Sequence, residues 1–72
     1  MTVEGDKFRI NNWIRYWAHE KNKALLMIDD IRVEIESGGD KNILNGGIKY
    51  YEYQIQKYDA SLYKLQRELE EI

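Results

Sequence analysis

Apolar residues recur at alternating intervals of three and four along the last third of the chain. This spacing is the a/d seam of a helix that packs against another helix, as in a coiled coil. The pattern predicts a helix over about residues 48–72. The seam residues are Ile48, Tyr51, Ile55, Tyr58, Leu62, Leu65, Leu69 and Ile72.

A second stripe with the same spacing lies in the first half of the chain and predicts a helix over about residues 7–37. Asp6 is a plausible N-cap, and Asn11 or Asn12 would start the helix later. The chain has no proline, so no residue forbids one long helix. Lys21 alone interrupts the apolar stripe, which consists of Ile10, Ile14, Trp17, Lys21, Ala24, Ile28, Ile31 and Ile35.

Residues 38–47 form the predicted connection between the two helices. It starts with a glycine pair, and Gly38 or Gly39 can adopt the left-handed conformation that ends a helix. The connection can then be an irregular loop, or it can contain a very short β-hairpin. Both interpretations stay open at the level of the sequence.

Asn45-Gly46 is the residue pair on which the β-hairpin interpretation depends, because it is preferred in two-residue type I′ turns. In that interpretation Ile43 and Ile48 face each other on either side of the turn. In the loop interpretation Ile43 and Leu44 cover the end of the helix pair.

Two helices joined by about ten residues predict an all-α fold, an antiparallel helical hairpin formed by a single domain over residues 1–72. A chain of this size hides only about 60% of its unfolded surface. Such chains usually need a disulfide, a metal or a partner, and this one has no cysteine. We therefore expect a homodimeric four-helix bundle. A monomer capped by a small β-hairpin is the alternative.

Aromatic residues are the candidates for an interface, since tyrosine and tryptophan combine a large apolar ring with a polar tip. Six of the 72 residues are tyrosines, and Tyr50 and Tyr53 lie off the seam. The predicted interface residues are Trp13, Trp17, Tyr50, Tyr51, Tyr53, Tyr58, Leu62 and Leu65.

Residues that would carry chemistry are sparse. His19 is the only histidine, and it has neither a cysteine nor a suitably placed serine to pair with. Asp30 and Glu34 are neighbours on a helix, but the calcium-loop and di-iron patterns are missing. The sequence predicts a protein that is not an enzyme and that uses no catalytic residue, metal or cofactor.

Charge is distributed unevenly, although the net charge of the chain is only -2. Residues 1–25 carry five basic and three acidic side chains, and residues 26–40 carry one basic and five acidic side chains. Antiparallel self-pairing of the first helix would therefore bring opposite charges together. We expect a protein partner, a second copy of the chain, or both, so that the chain is a module for protein interaction and assembly.

Two alternative functions remain open at this stage. The acidic residues 29–40 would suit a small regulator or inhibitor that binds an enzyme or a transcription protein. The basic and aromatic residues 7–23 would suit a nucleic-acid-associated protein, although the mixed charges of that segment argue against nucleic acid as the partner.

The N-terminal residues lack the apolar core of a signal peptide, and no run approaches the ~20 apolar residues of a membrane span. We expect a cytoplasmic protein with no membrane partner.

About half of the chain, residues 31–69, resembles the small bacteriophage head–tail joining proteins of the gpW-like kind. The matching features are the helix end at 35–38, the turn at Asn45-Gly46 between Ile43 and Ile48, and a Tyr-led second helix. The resemblance implies a helix, a short hairpin and a second helix. It also implies a virion-associated neck component that oligomerises on a portal ring without catalysis.

Overall fold

A computed structural model describes residues 3–72 and consists of two long helices, α1 (Val3–Glu36) and α2 (Lys41–Glu71). The helices lie antiparallel in an elongated hairpin that measures 55 × 14 × 13 Å. No strand occurs between residues 3 and 72. The all-α helical hairpin predicted from the two stripes is confirmed.

Helix α1 extends further toward the N-terminus than the apolar stripe predicted. It already includes Val3, so Asp6 lies in its first turn and not at an N-cap, and Asn11 and Asn12 lie well inside the helix. The prediction of these three residues as helix starts was wrong. Glu4 and Asp6 place negative charge in the first turn. There it stabilises the helix, because it is attracted to the positive end of the macrodipole.

The predicted connection over residues 38–47 was wrong from residue 41 onward, because α2 begins at Lys41. Asn45-Gly46 is helical, and neither the loop nor the β-hairpin forms there. A carboxylate oxygen of Asp40 accepts hydrogen bonds from the backbone N–H groups of Asn42 and Ile43, at 2.9 and 3.3 Å. This N-cap starts α2 before the Asn-Gly pair. It satisfies two of the backbone N–H groups in the first turn of the helix, which have no partner within the helix.

Glycine ends α1, as predicted. Gly38 has φ +97°, in the left-handed region that favours glycine. Its N–H donates to the carbonyl of Ile35 (3.1 Å), and the N–H of Gly39 donates to the carbonyl of Glu34 (2.9 Å). These two bonds form a Schellman motif. A Cβ at Gly39 would lie 3.0 Å from the Glu34 carbonyl oxygen, so this tight turn also needs its second glycine.

The core of the hairpin is one seam between the two helices. Among the described residues, the buried hydrophobic side chains are Ile10, Ala24 and Ile28, all on the predicted α1 stripe. The other residues of both stripes are half-buried, apart from the terminal Ile72, which is exposed. Leu44 is half-buried too and extends the α2 stripe by one position. The heptad spacing therefore identified the packed face of each helix.

Two neighbouring glycines in the first turns of α2 differ in their surroundings, and we expect alanine to affect them differently. A Cβ at Gly46 meets no atom within 4 Å, whereas a Cβ at Gly47 would lie 3.2 Å from Cδ1 of Ile31 on α1. Gly46→Ala should stabilise the hairpin by about 0.5–1 kcal/mol through helix propensity. Gly47→Ala should gain less, because Ile31 must move.

Urea unfolding followed by circular dichroism measures both variants, and each serves as the control for the other. Equal stabilisation by the two alanines would show that the helices do not approach each other closely at Gly47.

Candidate interaction surface

The seam of the hairpin uses five of the eight predicted interface residues. They are all half-buried, and the ring centroid of Trp17 on α1 lies 5.6 Å from that of Tyr58 on α2, with the planes tilted by 31°. The heptad stripe of α2 is therefore engaged within the chain. The five residues are Trp17, Tyr51, Tyr58, Leu62 and Leu65.

The other three predicted interface residues, Trp13, Tyr50 and Tyr53, are exposed. The ring of Tyr53 has the ammonium of Lys57 4.6 Å from its centroid, one turn further along α2. Such a cation–π contact is common for a tyrosine on a solvated helix face. Trp13 and Tyr50 have no such partner from a neighbouring cation and lie on a different side of the hairpin.

A third row of residues with heptad spacing runs along α1 beside the seam. We call this row the α1 flank. Trp13 shares a groove between the helices with Leu65, and Met27 shares one with Tyr50, so one side of the hairpin contains all four. The α1 flank consists of Arg9, Trp13, Tyr16, Glu20, Lys23, Met27, Asp30 and Glu34.

Aromatic side chains dominate the N-terminal half of the α1 flank. Phe8, Trp13 and Tyr16 line a largely apolar depression there, together with Arg9. The Trp13 and Tyr16 rings meet edge to face with centroids 5.6 Å apart, and Tyr16 meets Trp17 in the same way at 5.0 Å. This chain of ring contacts ends on the seam and holds the exposed rings in place.

A smaller apolar cluster lies toward the loop end of the same side. Met27 is 42% exposed and Tyr50 is 57% exposed, and both line the groove beside Ala24. The ring of Tyr50 meets that of Tyr51 edge to face, with centroids 5.2 Å apart. A flexible thioether beside a tyrosine ring is a surface that adapts readily to an apolar partner.

A pair of opposite charges separates the two apolar clusters. The ammonium of Lys23 lies 3.5 Å from a carboxylate oxygen of Glu20. At the start of the α1 flank, the guanidinium of Arg9 lies 3.4 Å from the carboxylate of Asp6. The α1 flank is therefore charged in its middle and at its two ends, with one apolar cluster on each side of the middle.

Lys21, which interrupts the α1 stripe, crosses the seam to α2. Its ammonium lies 2.7 Å from the Asp59 carboxylate, in the shortest ion pair of the described residues. We expect a coupling free energy of about 0.2–1 kcal/mol in a double-mutant cycle of Lys21→Met and Asp59→Asn, because water still reaches both side chains. The coupling should fall as salt is added.

Exposed Glu52, one heptad before Asp59, supplies the matched control for this cycle. Glu52→Gln should show no coupling with Lys21→Met in denaturant unfolding. A coupling at Glu52 as large as that at Asp59 would mean that general electrostatics, and not the bridge across the seam, links these sites.

His19 and the carboxylates of Asp30 and Glu34 are the side chains that the sequence offered for chemistry. His19 is exposed, and no cluster of three or more metal-ligating side chains occurs between residues 3 and 72. Neither described helix has an apolar stretch suited to crossing a bilayer.

Comparison with known proteins adds no further constraint. No protein family, no curated protein and no solved structure matches the chain. The surface itself is thus the basis for a functional proposal.

Sequence reasoning missed part of this surface. Phe8, Tyr16 and Met27 belong to it, but they are not among the interface residues predicted from the sequence. The signal was present, because the α1 flank repeats every seven residues one position away from the apolar stripe.

Proposed function

We propose that this chain is a small, non-enzymatic module for protein interaction and assembly, and that it forms a homodimeric four-helix bundle. The observation that supports this most is the large surface that one hairpin leaves in water. The chain exposes 5684 Å², whereas a compact monomer of 8.7 kDa exposes about 4,700 Å².

The excess is roughly the area that a partner would cover. A standard protein interface buries about 800 Å² on each side, close to the difference of about 1,000 Å² here. The radius of gyration, 16.5 Å, also exceeds the about 11 Å of a compact domain with this number of residues. A second hairpin packed alongside would thicken the particle without lengthening it.

The apolar character of the exposed surface also supports a partner. Phe8, Trp13 and Tyr16 are exposed together around one depression, and Met27 and Tyr50 are exposed together along one groove. Contiguous apolar patches of this kind, unlike single exposed residues, mark interaction sites.

A structural component of a bacteriophage neck is the most specific form of this proposal. It rests on the resemblance to gpW-like head–tail joining proteins, supported by the order of two helices around a glycine stop. The Asn45-Gly46 turn does not support it, because that pair lies within α2. In this form the protein is cytoplasmic before assembly and virion-associated afterwards.

Co-purification of two differently tagged copies of the full chain tests the proposal. Both tags are expressed in one cell, one tag is captured, and the retained proteins are identified with and without nuclease. Retention of the second tag after nuclease treatment is the expected result.

Other outcomes of the same experiment would contradict self-assembly in distinct ways. Recovery of one enzyme or transcription protein in place of the second tag would favour the regulator or inhibitor. Retention that nuclease abolishes would favour the nucleic-acid-associated protein and its basic aromatic segment. If the captured copy retains neither the second tagged copy nor any other macromolecule, the exposed surface has no binding role.

A further inference from the structure

The α1 flank is complementary to itself when its direction is reversed. From its N-terminal end it presents a cation, two aromatic rings, an anion, a cation, a methionine and two anions. Read backwards, the same row presents an anion opposite the first cation, an anion opposite the tryptophan, the methionine opposite the tyrosine, and a cation opposite the central anion. A surface that matches its own reverse is what a two-fold dimer requires.

We propose that a second copy of the chain docks on the α1 flank in antiparallel orientation, with the two-fold axis passing between Glu20 and Lys23. This inference rests on the proposed function, since it names the face and the orientation by which the module pairs with itself. The α2 seam is already covered within the chain, so it is not available for this contact.

Charge pairing fixes the register of the two copies. With the axis between Glu20 and Lys23, each Glu20 faces the partner's Lys23, and each Lys23 faces the partner's Glu20. At the ends, Arg9 reaches the partner's Glu34. Each pair occurs twice by symmetry, so four ion pairs replace contacts that are now made within single chains or with water.

Apolar groups meet in the same register. The exposed ring of Tyr16 comes opposite the partner's Met27, and Trp13 comes opposite the partner's Asp30, which can accept a hydrogen bond from the indole N–H. Aromatic rings and methionine are enriched in the centres of protein interfaces and make favourable sulfur–ring contacts. The tyrosine ring of one copy and the methionine of the other thus cover each other on each side of the charged centre.

A parallel arrangement of the same surfaces lacks both forms of complementarity. It places Glu20 against the partner's Glu20 and Lys23 against the partner's Lys23. It also leaves the aromatic cluster against itself and the acidic C-terminal end of the flank against its own copy, which like-charge repulsion disfavours.

The far face of α2 is the poorer alternative for self-pairing. Tyr63 accepts a hydrogen bond from the guanidinium of Arg67 at 3.1 Å, and Tyr53 has Lys57 over its ring. These tyrosines are therefore already in contact with cations of their own helix. The α1 flank, in contrast, has an exposed apolar cluster on each side of its charged middle.

Charge reversal at the centre of the flank tests the register. Glu20→Lys places four cations at the two-fold axis, and Lys23→Glu places four carboxylates there. Sedimentation should show that each single variant dimerises at least about tenfold more weakly than the native chain. A one-to-one mixture of the two variants should recover the dimer, because each then supplies the charge that the other lacks.

The mixture keeps the test valid even if a single variant loses its helices, since circular dichroism would then show helix returning on mixing. The double variant with both reversals should dimerise like the native chain. Exposed Lys49, outside the flank, supplies the control: Lys49→Glu should leave the dimer unchanged.

Three results would overturn the proposed face and register. They are single variants that dimerise as well as the native chain, single variants that fail to recover on mixing, and a Lys49→Glu variant that is impaired as strongly. If the native chain is dimeric in these cases, self-assembly stands and only the face is wrong. A native chain that is monomeric throughout would remove self-assembly itself.

Discussion

Replacing Ile28 with alanine is expected to destabilise the hairpin by about 2–5 kcal/mol, enough to unfold much of a chain of this size. Ile28 is 5% exposed and is one of three hydrophobic residues that the seam buries to this degree. The substitution removes apolar contact area and leaves a cavity that a two-helix core can fill only partly. Urea unfolding monitored by circular dichroism measures the effect.

Leu26 provides the control for this experiment, because it is on the same helix but 63% exposed. Leu26→Ala should change the free energy of unfolding by no more than about 0.5 kcal/mol, as is usual for surface substitutions. If the two alanines destabilise equally, the seam is not where the apolar stripe of α1 packs.

Replacing Trp17 with alanine is the second substitution with a large expected effect, a loss of about 3 kcal/mol of stability. Trp17 is half-buried and stacks at a tilt on Tyr58, which joins the helices near the middle of the seam. The contact between the two rings contributes about 0.5–1.5 kcal/mol in addition to the free energy gained by burying their apolar area. A double-mutant cycle with Tyr58→Ala measures that part separately.

Trp13→Ala is the matched control, since Trp13 is one turn away and 50% exposed. At a concentration low enough to populate monomer, it should cost the hairpin much less stability than Trp17→Ala. It should weaken self-association instead, because Trp13 belongs to the α1 flank. A Trp13→Ala variant that unfolds as readily as Trp17→Ala would contradict this division between seam and flank.

The packed faces of both helices could be predicted from the sequence because heptad spacing reports directly which residues share one side of a helix. Every stripe position from Ile10 to Ile35 is buried or half-buried, including Lys21. The stripe does not reveal which chain supplies the opposing helix. The seam that predicted a dimer is filled within one chain, so the pairing of two copies has to be argued from the surface beside it.

The start of α2 could not be predicted from turn preferences alone. Asn45-Gly46 has a strong local tendency to form a turn, at a cost in helix propensity of about 1 kcal/mol for each glycine. The capping carboxylate of Asp40 and the burial of Leu44 on the seam outweigh that tendency. Tertiary packing of this kind becomes visible only when the two helices are placed together.

The candidate surface was predicted in part. Trp13 and Tyr50 were predicted as interface residues, and the structure leaves both exposed on one side of the hairpin. Tyr53 was predicted as well but lies beside its own cation. Tyr16 and Met27 belong to the surface through their position next to the seam, which depends on how α2 packs against α1.

Sedimentation equilibrium of the full native chain, from nanomolar to high micromolar concentration, tests the central claim most directly. The account predicts a mass of twice the 8.7 kDa of one chain at high concentration, and a reversible fall toward the monomer on dilution. Helix content and dimer fraction should fall together if the exposed surface needs the partner. A mass of one chain at every concentration, with full helix content, would contradict the proposal that this hairpin assembles with itself.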